Sequence, residues 1–183
     1  FFTHWERPGA RFSAGRLATP NMPQIHPPRK NAKSMRKLVN FSFLYMILGV
    51  ASGLFYREFT KINGFPEGQW TQLSVVHTHL LILGFIMFLV VLLLEKAFEL
   101  SKYRKLFAWF MGTYNAGVVL TAGMQLTHGI MTVLGVESSA MISGIAGLGH
   151  MSITAGMVLL FVMLRRAVGT RTGSVQTAGT TEK

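Results

Sequence analysis

The sequence predicts an all-α, four-helix transmembrane bundle, and three observations carry that prediction. Four apolar runs occur at residues 38–56, 73–94, 106–127 and 141–164, each about the 20 residues a helix needs to cross a bilayer. The connections between them are short, with turn residues or charges. Across the whole chain, half of the residues are hydrophobic and only 14% are charged, a composition outside the range of ordinary soluble domains. There is no cysteine, which excludes disulfides, thiolate metal sites, iron–sulfur ligation and covalent haem attachment through Cys-x-x-Cys-His.

Residues 1–34 contain five of the six prolines and no apolar periodicity. They read as a disordered basic arm or as an extension upstream of the native start, with Met35 and Met22 as candidate starts. The first span then runs over 38–56. Its Tyr45, Gly49, Ser52 and Tyr56 recur at helical spacing, a stripe suited to close helix packing in lipid. Asn63-Gly64 and Pro66-Glu67-Gly68 form a turn-rich loop, and Trp70 is placed as an interfacial anchor. The second span, 73–94, holds two histidines one residue apart, His77 and His79, and is expected to end at Glu95-Lys96.

The third span, 106–127, aligns Tyr114, Thr121, Gln125, His128 and Thr132 along one helical face. The fourth, 141–164, aligns Ser143, Gly147, His150 and Thr154. Arg165-Arg166 close it, and the Thr/Gly-rich residues 169–183 read as a disordered tail. The organisation is therefore a four-span membrane domain, 35–168, between two unstructured ends.

Charge sets the orientation. Arg29–Lys37 carries five basic residues, the connection after span two carries four (Lys96, Lys102, Arg104, Lys105), and the C-terminal flank carries three (Arg165, Arg166, Arg171). The opposite loops hold only Arg57 and Lys61. The positive-inside rule then places both termini in the cytoplasm of a multi-pass protein of the cell (inner) membrane. Short connections make successive helices antiparallel neighbours, up-down-up-down. The net charge of +11 suits an anionic lipid surface, and no nucleic-acid-binding motif is present.

With that topology, His77, His79, His128 and His150 all fall in the outer half of the bundle. His77 and His79 lie roughly 7–11 Å above the midpoint of their helix. Ionisable residues inside spans are costly and face bundle interiors or cavities. On a regular helix His77 and His79 point about 200° apart, so only one can face the centre. Gly84 lies at helical spacing below His77 and offers room for a flat ligand, which favours His77 as the inward one.

Imidazoles from two helices suit the two axial positions of haem b, and the preferred pair is His77 with His150. Gly84 and Gly147 would make space for the macrocycle, and His79 or His128 would orient a ligand or a propionate. A metal site would instead draw on His77, His79, His128 and His150 together. The bland readings stand beside these. A lone transmembrane histidine is more often a helix–helix hydrogen bond, especially His128 near the interface, and Gly144-Ile145-Ala146-Gly147 is more often a packing face.

The segments around Phe55-Tyr56-Arg57-Glu58-Phe59-Thr60-Lys61, Leu73-Ser74-Val75-Val76-His77-Thr78-His79-Leu80-Leu81-Ile82-Leu83-Gly84 and Ile142-Ser143-Gly144-Ile145-Ala146-Gly147-Leu148-Gly149-His150 resemble a family of small bacterial four-span membrane proteins with a domain of unknown function. The resemblance covers about 35–168 and implies the four-helix fold but no activity. The stretch Val76-His77-Thr78-His79-Leu80-Leu81 is also similar to the second helix of the catalytic subunit of haem-copper oxidases and nitric oxide reductases. That likeness implies a low-spin haem ligand at His77. The family has about twelve spans and further histidines, which this chain lacks.

The expected function is thus a membrane protein with an outer-half histidine cluster that binds haem b for electron transfer or gas sensing. The alternatives are a metal- or proton-handling protein, and a cofactor-free structural or assembly subunit. The expected partners are the bilayer, haem or a metal ion, and a second copy or a membrane complex. No catalytic constellation is recognisable: there is no Ser-His-Asp pattern, intramembrane carboxylate pair or phosphate loop.

Overall fold

The computed structural model describes residues 29–137 and 140–178. Residues 1–28, including His4 and His26, lie outside the described residues, as do 138–139 and 179–183. Four long helices make up the described chain: α1 (Arg29–Ile62), α2 (Leu73–Phe98), α3 (Arg104–Val133) and α4 (Ala140–Ala178). All four contain a stretch long and apolar enough to cross a membrane. By length and composition, the chain is a multi-pass membrane protein.

The helices outrun the apolar spans. α1 begins at Arg29, inside the expected basic arm, and α4 continues to Ala178, through most of the expected tail. Once a helix is nucleated and packed, each added residue gains one backbone hydrogen bond for one residue ordered, so a polar flank extends it. α2 likewise passes through Glu95-Lys96 to Phe98. It ends with Glu99 in the left-handed region (φ 52°), whose N–H donates to the Glu95 carbonyl at 2.9 Å. α3 stops at a Schellman motif. Gly135 (φ 69°) donates to Thr132 O at 3.3 Å, and Val136 N–H donates to Met131 O at 2.9 Å.

Neighbours in sequence pack antiparallel. Along α1 and α2, Tyr45 meets Gly84, Gly49 meets Leu81, and Gly53 meets His77. Along α2 and α3, Leu73 meets Gly129, and Leu83 meets Tyr114. Along α3 and α4, Tyr114 meets Gly156, Gly117 meets Ile153, and Thr121 meets Gly149. The α3–α4 interface is the most extensive. α2 packs on α4 through its second half, from Met87 onward. The hairpin end of the bundle carries residues 63–72 and 134–137. The terminal end carries Arg29, Ala178 and residues 99–103.

The core lies toward the terminal end and is aromatic. Phe88 is fully buried, stacked on Phe41 and Tyr45 and edge-on to Tyr114, with ring centroids 5.6–5.8 Å apart. Such pairs add about 0.5–1.5 kcal/mol beyond the area they bury. Large apolar side chains such as Phe43, Leu54, Leu93 and Phe161 face outward, as expected for surfaces that contact lipid. Trp70 and Trp109, also outward, sit near opposite ends of the bundle.

α2 contains a π-helical segment, Leu80–Ile86. A π-turn disturbs the regular carbonyl ladder, and here two of its carbonyls are held from neighbouring helices. Tyr114 of α3 donates its hydroxyl to Leu83 O at 2.9 Å, and Ser42 of α1 donates to Phe85 O at 3.0 Å. π-segments are rare and occur frequently at functional sites. This one begins directly after His79.

Candidate functional site

α2 separates its two histidines. His77 is turned toward α1: a Cβ added at Gly53 would lie 3.6 Å from the His77 Cβ and 3.7 Å from the first ring carbon. Its Nδ1 is buried and has no hydrogen-bond partner. The space expected below it is taken, because a Cβ at Gly84 would overlap the Tyr45 ring. Gly84 thus admits an aromatic side chain of α1 rather than a flat ligand. The sequence led us to expect an inward His77 over an open Gly84; the small-residue stripe of α1 packs on the His77 face and Tyr45 occupies the space at Gly84.

His79 leaves the opposite side of α2. It is half-buried, and its Nδ1 lies 2.9 Å from the Val75 carbonyl. A carbonyl oxygen only accepts, so Nδ1 carries the proton in this contact. In the neutral ring, Nε2 is then a bare, basic nitrogen. His79 shares its helical row with Leu83, whose carbonyl holds Tyr114, and Tyr114 packs against Gly156 of α4. The row therefore faces the region where α2, α3 and α4 come together.

His150 is exposed and lines a shallow apolar groove of about 670 Å³ with Met151, Thr154 and Val158. Its neighbour Gly149 is pressed against Thr121 of α3, so the His150 side chain departs about 100° around α4 from that contact. Gly147 is exposed, with open space where a Cβ would stand. The expected pairing of His77 with His150 is not assembled: His77 turns to Gly53 of α1, and the exposed His150 leaves α4 about 100° from its contact with α3. Ser143, expected on the same face, has no described side chain.

His128 is half-buried on α3, with Nδ1 buried and unpartnered. Among the described residues, no three His, Asp, Glu or Cys side chains are grouped as a metal ion would require. The four-histidine metal site expected from the sequence is thus not gathered: helical geometry sends His77 and His79 to opposite sides of α2.

Several polar contacts have no counterpart in the expectations from sequence. Glu95 is fully buried, and both carboxylate oxygens are held by Ser101, from its N–H at 2.8 Å and its hydroxyl at 2.5 Å. Thr71, also fully buried, donates to Gly129 O at 3.0 Å. There Gly129 lets the start of α2 approach so closely that a methyl group in its place would overlap the Leu73 nitrogen. Tyr45 donates to Asn115 Oδ1 at 2.9 Å. Only the Gly-rich spacing hinted at these close approaches; the Glu95–Ser101 pair depends on a left-handed turn with no glycine to announce it.

A second cleft, about 380 Å³, lies between α1, α2 and α3. Tyr45, Ser52, Val76, Leu80 and Leu126 are among its lining residues, and no histidine is. No curated protein and no solved structure matches the chain, and the likeness of the His77 region to haem-copper oxidases finds no support. The family model described as a protein of unknown function, DUF2871, matches residues 35–167, and the chain belongs to that family.

Proposed function

We propose that this protein binds haem b in the membrane, between α2 and α4, with His79 and His150 as the axial ligands, and that it carries electrons. One observation carries the reading: the 2.9 Å contact from His79 Nδ1 to Val75 O. Ligating histidines commonly donate their second ring nitrogen to a carbonyl, which fixes the tautomer and orients the free nitrogen.

Depth supports the pair. Leu73 lies opposite Gly129 and Gly149 opposite Thr121. Counting along the antiparallel helices puts His79 level with Gly123 and His150 level with Leu120, a difference of roughly 5 Å. The same contacts, with the right-handed helical sense, aim both side chains to the α2–α4 side. The packing of α2 on α4 is carried by the Met87–Phe98 half of α2, toward the terminal end from both histidines. Leu120 is also near the middle of the uncharged stretch of α3. Haem supplies a redox-active iron, and with both axial positions filled it suits electron transfer rather than ligand chemistry. In the membrane the hairpin end faces outward and both termini are cytoplasmic, following the basic residues.

The test is a reduced-minus-oxidised visible spectrum of the full chain, purified in mild detergent from cells supplied with haem. Sharp b-type bands are expected, lost in His79→Ala and in His150→Ala but kept in His77→Ala. A colourless protein overturns the assignment. It would favour the cofactor-free subunit, for which the outward-facing Gly147 and Thr154 offer a helix-packing face.

A further inference from the structure

The buried side of α2 recurs every four residues through the π-helical segment. Val76, Leu80, Gly84 and Phe88 are buried, while Thr78, Ile82, Ile86 and Val90 are exposed. A regular α-helix turns about 100° per residue, so each four-residue step drifts by about 40° and three of them by about 120°. That drift would carry the buried row off the bundle. A π-turn accommodates one residue more than an α-turn, which takes back about 100° of it.

The consequence falls on His79. It precedes Phe88, fully buried in the aromatic core, by nine residues. On a regular helix nine residues would set the two about 180° apart, with His79 on the outer side of α2. With one residue absorbed by the π-turn, the angle closes to about 80°, on the flank that faces α3 and α4. Thr78 takes the outer side instead, and it is exposed.

One backbone group makes that turn costly. In an α-helix the Met87 N–H would donate to Leu83 O, four residues back. Here it is directed at Ile82 O, five residues back, and at Gly84 O. Leu83 O has lost its helical donor, and the Tyr114 hydroxyl stands in for it at 2.9 Å. A backbone carbonyl without a donor is strongly disfavoured away from water. Ser42 adds a second anchor at Phe85 O of the same segment.

We propose that Tyr114 is a positioning residue for His79: its hydroxyl replaces the donor that Leu83 O loses in the π-turn, and the π-turn swings His79 from the outer side of α2 to the bundle. The use of that aim in haem ligation rests on the function proposed above; the placement of the side chain does not. Without the hydroxyl, the segment gains by returning to α-register, which turns the Leu73–His79 half of α2 by about 100° against the Met87–Phe98 half. The second half is fixed by the aromatic core and by the Glu95–Ser101 contacts, so the histidine half moves. Thr78 then takes the bearing on α1 that His77 has now.

The chain has no cysteine, so introduced pairs report alone. A Cβ at Gly53 would lie 3.6 Å from the His77 Cβ, within the range for a disulfide. In the full chain reconstituted in liposomes, Gly53→Cys/His77→Cys is expected to cross-link under brief, mild oxidation, and Gly53→Cys/Thr78→Cys is not. Adding Tyr114→Phe should reverse the two. Deleting Ile82, an outward residue of the segment, removes the extra residue, so both halves keep their bearings on a regular helix. The deletion should restore the His77 cross-link in the Tyr114→Phe background, a rescue that a merely stabilising hydrogen bond would not produce. Unchanged cross-linking of both pairs in Tyr114→Phe overturns the proposal. Loss of the His77 cross-link, or of folding, that the Ile82 deletion does not restore overturns it as well. None of these measurements requires haem, so a colourless protein would count against the haem assignment alone.

Discussion

The Tyr114 hydroxyl donates to the carbonyl of Leu83 at 2.9 Å, tying α3 to the π-helical segment of α2. The same tyrosine closes on Gly156 of α4 and meets Phe88 edge-on. One side chain thus sets the spacing of three helices below the candidate site. Its counterpart on the other flank, Ser42 to Phe85 O at 3.0 Å, secures the same segment from α1.

Tyr114→Phe keeps the ring and removes the tie. A loss of about 0.5–1.5 kcal/mol is expected, the usual net worth of one hydrogen bond between membrane helices. Ser42→Ala should cost a similar amount, and the double variant should show coupling because both act on one seven-residue segment. Unfolding in mixed micelles measures all three. No change in Tyr114→Phe would mean that the π-segment holds without this bond.

Gly84 and Gly112 make a matched pair. A methyl at Gly84 would overlap the Tyr45 ring, whereas Gly112 is exposed with nothing within 4 Å. Gly84→Ala is expected to destabilise by about 1–3 kcal/mol through overpacking. Gly112→Ala should be neutral or stabilise by up to about 1 kcal/mol through helix propensity. Equal effects at the two positions would contradict the close packing of α1 on α2.

Glu95 is a fully buried carboxylate held twice by Ser101. Glu95→Ala removes both charge-assisted hydrogen bonds and should cost about 3 kcal/mol. Glu95→Gln keeps the shape and one acceptor and should cost roughly 1 kcal/mol. Thermal unfolding followed by helicity ranks the two. A harmless Glu95→Ala would show that the left-handed turn at Glu99 does not depend on this carboxylate.

His77 carries a buried, unpartnered nitrogen against Gly53. Replacing it with an apolar residue of similar size removes an unmet polar group, so His77→Leu should be neutral or raise stability by up to about 1 kcal/mol. Chemical unfolding of the two proteins side by side reads the difference. A marked loss of stability would show that the imidazole is engaged.

Much of the architecture was legible in the residue order. Runs such as Leu73–Leu94 are too long and too apolar for a soluble core helix, and short connections leave consecutive helices few options but to pack side by side. Length, hydropathy and loop size are local properties, and they determined the four-helix class. The 200° separation of His77 and His79 was equally local, and so was the alignment of Thr121, Gln125 and His128. Which histidine faces which neighbour was not. That choice fell to the glycines and small side chains of α1. Gly49 and Gly53 accept Leu81 and His77, Tyr45 fills the gap at Gly84, and His79 is left to face α3 and α4. The burial of Glu95 likewise goes with a left-handed turn at Glu99, a non-glycine residue, that brings Ser101 back onto its carboxylate. Helix formation follows from bonds within a segment. The orientation of its faces follows from steric fit against other segments, and only the folded arrangement expresses that fit.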